Sequence, residues 1–268
     1  MHPVLFQIGS LLVPSYGACA ALGVLLALGL AQLTAKRIGL DPRHAWNMLV
    51  LAVFAALAAS RLLLVVMNLS DLRVHPRWLL AVAMVHHPLL AAVGIVSGII
   101  AILLYVRWAK LPLRTVADCL AAPIFLAAAA EQLGALLAGS DYGSKTNAAW
   151  AVTYSSPLAA RWSGTPLGIP LHPVQVYAAI GALALAVIVY SWLFLPRRSG
   201  DIAGIALVGA GALLFVTEIF RDWEGRGILL GGLIDIPQLV GLVLVLLGGM
   251  MLLDWRQPRT VAEKVDDV

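Results

Sequence analysis

Charge is scarce in this chain. Only 12% of its 268 residues are Asp, Glu, Lys or Arg, about half the share of a soluble domain. A disordered chain is excluded, because disorder needs high charge and low hydrophobicity. An ordinary soluble enzyme is excluded on the same ground. Cysteine is nearly absent: Cys19 and Cys119 stand alone, each inside an apolar stretch. With no C-x-x-C and no Cys/His cluster, neither a disulfide framework nor a zinc site is expected. Both read as small buried residues. No segment of about ten residues alternates polar with apolar, which excludes an outer-membrane barrel. No period of 20–50 residues repeats, which excludes a solenoid. Residues 1–15 lack the basic region of a secretory signal, so the first apolar run is expected to stay in the mature protein. The net charge is +4, but no basic stripe or RNA-binding motif accompanies it, so no nucleic-acid partner is expected.

What the chain has is oil: 61% of it is hydrophobic. A membrane-crossing helix needs about 20 mainly apolar residues. Seven stretches qualify, at 14–35, 45–68, 88–107, 117–138, 173–195, 202–220 and 236–254. The expected fold is therefore an all-α integral membrane protein, a seven-transmembrane-helix bundle. Residues 1–255 form a single domain and 256–268 a polar tail.

Lys and Arg distribute unevenly around these stretches. On one side stand Lys36, Arg37, Arg43, Arg107, Lys110, Arg114, Arg197, Arg198, Arg256, Arg259 and Lys264. On the other stand Arg73, Arg77, Lys145, Arg161, Arg221 and Arg226. Positive charge stays inside, so the C-terminus is expected in the cytoplasm and the N-terminus outside. The long 139–172 connection is then extracytoplasmic.

Ionisable residues within a span face the bundle interior or a wet cavity. Arg61, Glu131 and Glu218 are the ones that stand out. Glu218 precedes Arg221 by three residues, which puts the two on one helix face. An internal ion pair that fixes packing and a contact to an anionic headgroup both fit. Gly94-x-x-x-Gly98 reads as close helix packing. His86-His87-Pro88 opens the third span. Its imidazoles could serve as a base or as an interfacial polar cap. With no second cluster of ligand residues, no metal is expected. His172-Pro173-Val174-Gln175-Val176-Tyr177 opens the fifth span. Proline suits a helix start, and the free N–H groups there favour an anion. A lipid phosphate fits, and so does an interfacial anchor of His and Tyr.

In their order, these residues resemble the prolipoprotein diacylglyceryl transferase family over nearly the whole chain. Phe6-x-Ile8-Gly9 and Tyr16-Gly17 are similar to its opening. Arg61 matches an arginine of its second long helix. Leu133-Gly134 through Asp141-Tyr142-Gly143 resembles the end of its signature stretch. His172-Pro173-x-Gln175-x-Tyr177 matches its H-P-x-Q-x-Y motif, Glu218-x-x-Arg221 its sixth-helix pair, and Asp235-x-Pro237-Gln238 the entry to its last helix. The chain also departs from the pattern. Gln132 and Ala135 fall where the family's Gly-Arg-x-Gly-Asn has arginine and asparagine. Leu214 and Ala210 fall on its sixth-helix arginine and tyrosine. The His-Gly-Gly stretch before the third helix is not intact, with His86-His87-Pro88 in its place.

The resemblance implies a multi-pass enzyme of the bacterial cytoplasmic (inner) membrane that uses no cofactor. It would move a diacylglyceryl group from phosphatidylglycerol to the lipobox cysteine of a prolipoprotein. Arg61 and Arg221 would hold the phosphate, with Glu218 beside Arg221, and His86 or His87 would be the base. Tyr16, Gln132, Tyr142, Gly143, His172, Gln175, Tyr177 and Gln238 would shape the lipid site. Two alternatives stand beside this. One is a family member that binds lipid or precursor without transfer. The other is a transporter, against which the absence of an inverted repeat argues.

Overall fold

Lipid offers no hydrogen bonds, so a spanning segment must satisfy its backbone internally. The computed structural model answers with helices. It describes residues 2–9, 11–69, 88–222, 228–229 and 234–253. Eight helices occur among them: α1 Ser15–Arg37, α2 Pro42–Met67, α3 Pro88–Trp108, α4 Leu113–Ala138, α5 Pro157–Ser163, α6 Val174–Trp192, α7 Asp201–Ile219 and α8 Ile236–Leu253. All but the short α5 are long and apolar enough to cross a membrane. The protein is a seven-helix, multi-pass membrane protein. The polar tail lies outside the described residues.

The helices match the seven apolar stretches and overshoot them at some ends. α2 starts at Pro42 rather than 45, because Asp41 caps it: its carboxylate accepts from the Arg43 N–H at 2.9 Å, with proline in the first turn. α4 starts at Leu113, so Arg114 lies within it. Hydropathy marks only the part of a helix that needs oil around it. The helix itself runs on until its backbone is capped.

Three two-stranded antiparallel sheets occur among the described residues. β1 Val4–Ile8 pairs with β2 Leu11–Pro14, β3 Val152–Thr153 with β4 Pro170–Leu171, and β5 Ile228–Leu229 with β6 Ile234–Asp235. The registers set Ile8 opposite Leu11, Val152 opposite Leu171 and Ile228 opposite Asp235.

Packing is done by small side chains, as it must be where lipid tails are as apolar as leucine. One core joins Ala121, Ala122, Phe125 and Ala129 of α4 to Ala182, Ala186 and Val189 of α6 and Ile202 and Ala206 of α7. A second joins Ala31 and Ala35 of α1 to Ala45 and Met48 of α2, Val106 of α3 and Val116, Cys119 and Leu120 of α4. α1 lies along α4, which lies along α6, while α8 lies along α7. α2 and α3 form a hairpin in which Ser60 donates to the Leu90 carbonyl at 2.8 Å. Gly94 sits against Ser60 and Ala56, and Gly98 against Ala52. Gly134 brings α4 onto α1: a Cβ there would stand 2.8 Å from that of Cys19.

The two ends of the bundle differ. One carries the 139–172 connection, the start of α1 and the end of α7, and is called here the loop end. At the other, Asp118 of α4 is buried and caps α7. Its carboxylate accepts from the N–H of Gly200 at 2.7 Å and of Ala203 at 2.8 Å. Arg197 is buried beside it and donates to the carbonyls of Leu193 and Leu195. Burial lowers the pKa of Arg197, and Asp118 partly opposes this.

Candidate functional site at the loop end

The 139–172 connection is an ordered cap. Gly143 pairs with Arg221 in a single β-bridge, and Lys145 pairs with Leu171. The Ser144 N–H donates to the Phe220 carbonyl and the His172 N–H to the Ser144 carbonyl, each at 2.9 Å. The strand at 143–145 therefore threads between the end of α7 and the start of α6. Gly143 is required by this closeness. A Cβ there would run into the His172 carbonyl and stand 2.7 Å from both the His172 Cβ and Val174 Cγ2.

Gln175 anchors the connection from below. It is fully buried in the first turn of α6, and its amide donates to the Ser140 carbonyl at 2.7 Å and the Tyr154 hydroxyl at 3.2 Å. The helix starts where proline predicts, at Val174, with His172 just before it and Gln175 in its first turn. Gln175 turns into the loop, because the Ser140 carbonyl needs a donor that water cannot reach. Burial pushes the Tyr154 phenol up to about 12, partly offset by the Gln175 hydrogen bond.

Arg221 is the cation of the site. Its Nε stands 3.2 Å from Glu218, and its guanidinium reaches Asp141 at 3.2 Å. Glu218 is buried, while Asp141 is exposed. α7 ends at Ile219, so Arg221 lies past the helix. Its backbone is drawn away by the bridge to Gly143, and the side chain returns to Glu218. A guanidinium has five N–H donors. Two carboxylates fix its direction and leave donors for an anion.

A second polar group spans α1 and α4. The Tyr16 hydroxyl donates to one oxygen of Glu131 at 2.9 Å. The Gln132 amide donates to the other at 2.7 Å. Asp141 and Arg221 lie within electrostatic reach of Glu131, so the two polar groups form one field.

Beside them is a cleft of about 360 Å³ lined by Trp150, His172, Tyr177, Val216, Thr217 and Phe220. The Trp150 indole donates to the Tyr177 hydroxyl at 2.7 Å, and that hydroxyl lies 3.3 Å from His172 Nδ1. His172 and Tyr177 each pack against Phe220, with ring centroids 5.2 and 5.7 Å away. The Trp150 indole N–H, the Tyr177 hydroxyl and His172 Nδ1 face one another, and the rings leave a largely apolar surface.

The structure thus gathers Tyr16, Gln132, Gly143, His172, Gln175, Tyr177, Glu218 and Arg221 at one end. Tyr142 stands there too, its hydroxyl 3.5 Å from the Gly164 carbonyl. Gln238 has local work. Its side-chain oxygen accepts from the Asp235 N–H at 3.2 Å, and the Asp235 carboxylate accepts from the Gln238 N–H at 2.7 Å. That reciprocal pair is a capping box starting α8. Arg61 is exposed on α2 and makes no ion pair with the described residues. His86 and His87 lie outside the described residues. Ala135 is buried, and Ala210 and Leu214 are half-buried apolar packing. Sequence reasoning missed Trp150, a lone loop tryptophan with no motif around it. It also missed the pairing of Asp141 with Arg221, eighty positions apart.

Known proteins resemble this chain over nearly its whole length. A family model described as prolipoprotein diacylglyceryl transferase matches residues 3–254. Relatives of this chain carry the name phosphatidylglycerol–prolipoprotein diacylglyceryl transferase. The one from Clostridium tetani is 25% identical over 249 residues, covering 92% of this chain and 95% of that protein. The one from Vibrio cholerae serotype O1 is 29% identical over 266 residues, covering 97% and 93%. The one from Synechocystis is 27% identical over 255 residues, covering 92% and 86%.

Proposed function

The chain belongs to the prolipoprotein diacylglyceryl transferase family of membrane enzymes, and from that premise we propose that it moves a diacylglyceryl group from phosphatidylglycerol to the thiol of a lipobox cysteine in a precursor lipoprotein. The observation that carries this is convergence. Motif residues spread from Tyr16 to Arg221 lie at one end of the bundle, where Asp141 and Glu218 hold one guanidinium. The Lys and Arg distribution supports setting that end outside a bacterial cytoplasmic membrane, where precursors emerge.

The chemistry breaks the bond between the glyceryl carbon and its phosphate oxygen, and forms a carbon–sulfur bond. The thiol must first lose its proton, since the thiolate is the nucleophile. That proton ends on the departing glycerol phosphate. Arg221, aimed by Asp141 and Glu218, stabilises the charge gathering on the phosphate. Arg61 is the second cation assigned to the phosphate and His86 or His87 the base, on sequence grounds. The cleft walled by Trp150, His172, Tyr177 and Phe220 suits the apolar part of a substrate. Neutral Gln132 and Leu214, where the family has arginines, favour a second reading, in which lipid or precursor binds without transfer.

Mass spectrometry separates the two. Protein in detergent is mixed with phosphatidylglycerol and a one-cysteine lipobox peptide. A mass gain of one diacylglyceryl group, absent with a Cys→Ser peptide, is the expected result. No gain, while another family enzyme works alongside, would leave the binding reading.

A further inference from the structure

The hydrogen bonds around Glu131 decide the sense of a neighbouring amide. Glu131 offers two acceptor oxygens, and both are used: one by the Tyr16 hydroxyl, the other by Gln132 Nε2. An amide that faces a carboxylate must present its NH₂, because two oxygens would repel. The carbonyl oxygen of Gln132 is therefore turned the other way. There it is buried and has no hydrogen-bond partner among the described residues. A buried acceptor without a donor is costly. Arg221 lies within electrostatic reach of Glu131. The site thus offers a cation for an anion and, near it, a bare acceptor for a donor.

We propose that Gln132 reads the lipid headgroup by accepting a hydrogen bond from it, and that Glu131 is the positioning residue that holds the amide in this sense. The ligand is then a phospholipid whose phosphate carries a substituent with an O–H or N–H group. A hydroxyl, as in glycerol, and an ammonium, as in ethanolamine, both supply that donor. This inference deepens the lipid-binding half of the proposed function and does not need the transfer step.

The test compares lipids of equal charge. Phosphatidylglycerol and phosphatidylpropanol are both singly anionic, and only the first has headgroup hydroxyls. Occupancy of each on the purified full-length protein is read by native mass spectrometry. Phosphatidylglycerol should bind about tenfold tighter, the scale of one hydrogen bond to an otherwise unmet buried acceptor. Phosphatidylethanolamine forms a third arm. Preference for it over phosphatidylpropanol assigns an ammonium, and its absence assigns the hydroxyl. Glu131→Gln gives residue 131 an NH₂ of its own. The Gln132 amide then turns over and presents a donor, and the preference should collapse toward one. Glu131→Asp keeps two acceptor oxygens and should keep the preference even if less protein accumulates. A purely structural Glu131 would change yield or melting temperature and leave the lipid ratio alone. Equal binding of the two anionic lipids by the unaltered protein overturns the inference, and so does a ratio that Glu131→Gln leaves unchanged. Failure of peptide transfer with the preference intact sinks only the transferase reading.

Discussion

Each end of the bundle buries a carboxylate, and the two are used in opposite ways. Asp118 is spent entirely on backbone: it accepts from Gly200 and Ala203 and lies beside Arg197, whose guanidinium goes to two carbonyls. Glu218 instead holds a side chain, Arg221, that also meets the exposed Asp141. The first arrangement closes the fold. The second keeps a cation aimed, with donors left over. Nearby acceptors repeat the contrast, since Gln132 and Gln175 each leave a buried carbonyl oxygen without a hydrogen-bond partner among the described residues at the loop end. A carboxylate that caps a helix stabilises it. One that orients a guanidinium stabilises what the guanidinium will bind.

That contrast can be broken at several points. The largest expected effect is on activity. Arg221→Lys keeps the charge but loses the fork that meets two carboxylates. Transfer should fall about 10²–10³-fold, the scale of a lost transition-state contact, while melting temperature in detergent changes little. A matching loss of stability would make Arg221 a packing residue like Arg197. At the opposite end, Asp118→Ala strips two N–H groups of their acceptor and removes one of the carboxylates that balance Arg197. Stability should drop by about 2–4 kcal/mol, read by thermal melting. Specific activity of the protein that remains folded should be unchanged.

Gly143→Ala tests the threading of the loop. Its Cβ would collide with the His172 carbonyl. About 1–3 kcal/mol of overpacking is expected, with faster proteolysis of the 139–172 connection than of the helices. The smallest effect belongs to Tyr177→Phe, which removes the hydroxyl between Trp150 and His172. A cost of about 0.5–1.5 kcal/mol is expected, visible as altered Trp150 fluorescence. Loss of the whole loop fold in that variant would mean that the aromatic wall, and not Gln175, anchors the cap.

How much of this could be read in advance follows from distance along the chain. Glu218 and Arg221 are three residues apart, so their pairing was legible, although the helix stops before Arg221. Gln175 was legible as part of a motif but not in its direction. A half-turn of α6 carries it into the loop, where Ser140 and Tyr154 wait. Tyr16 and Glu131 are 115 positions apart, and Trp150 lies in the 139–172 connection while Tyr177 lies in α6, so no periodicity links either pair.

The seven helices are a property of composition. Each apolar stretch is long enough to span oil, and a backbone in oil has no option but to hydrogen-bond to itself. That argument is local and needs no partner. The site is a property of helix packing. Gly134 lets α1 approach α4 and so sets Tyr16 on Glu131, and Gly143 lets the loop pass His172 and so sets Asp141 on Arg221. Such approaches depend on which small residues face one another across helices. Hydropathy weighs alanine, glycine and leucine by their oil and is blind to their shape.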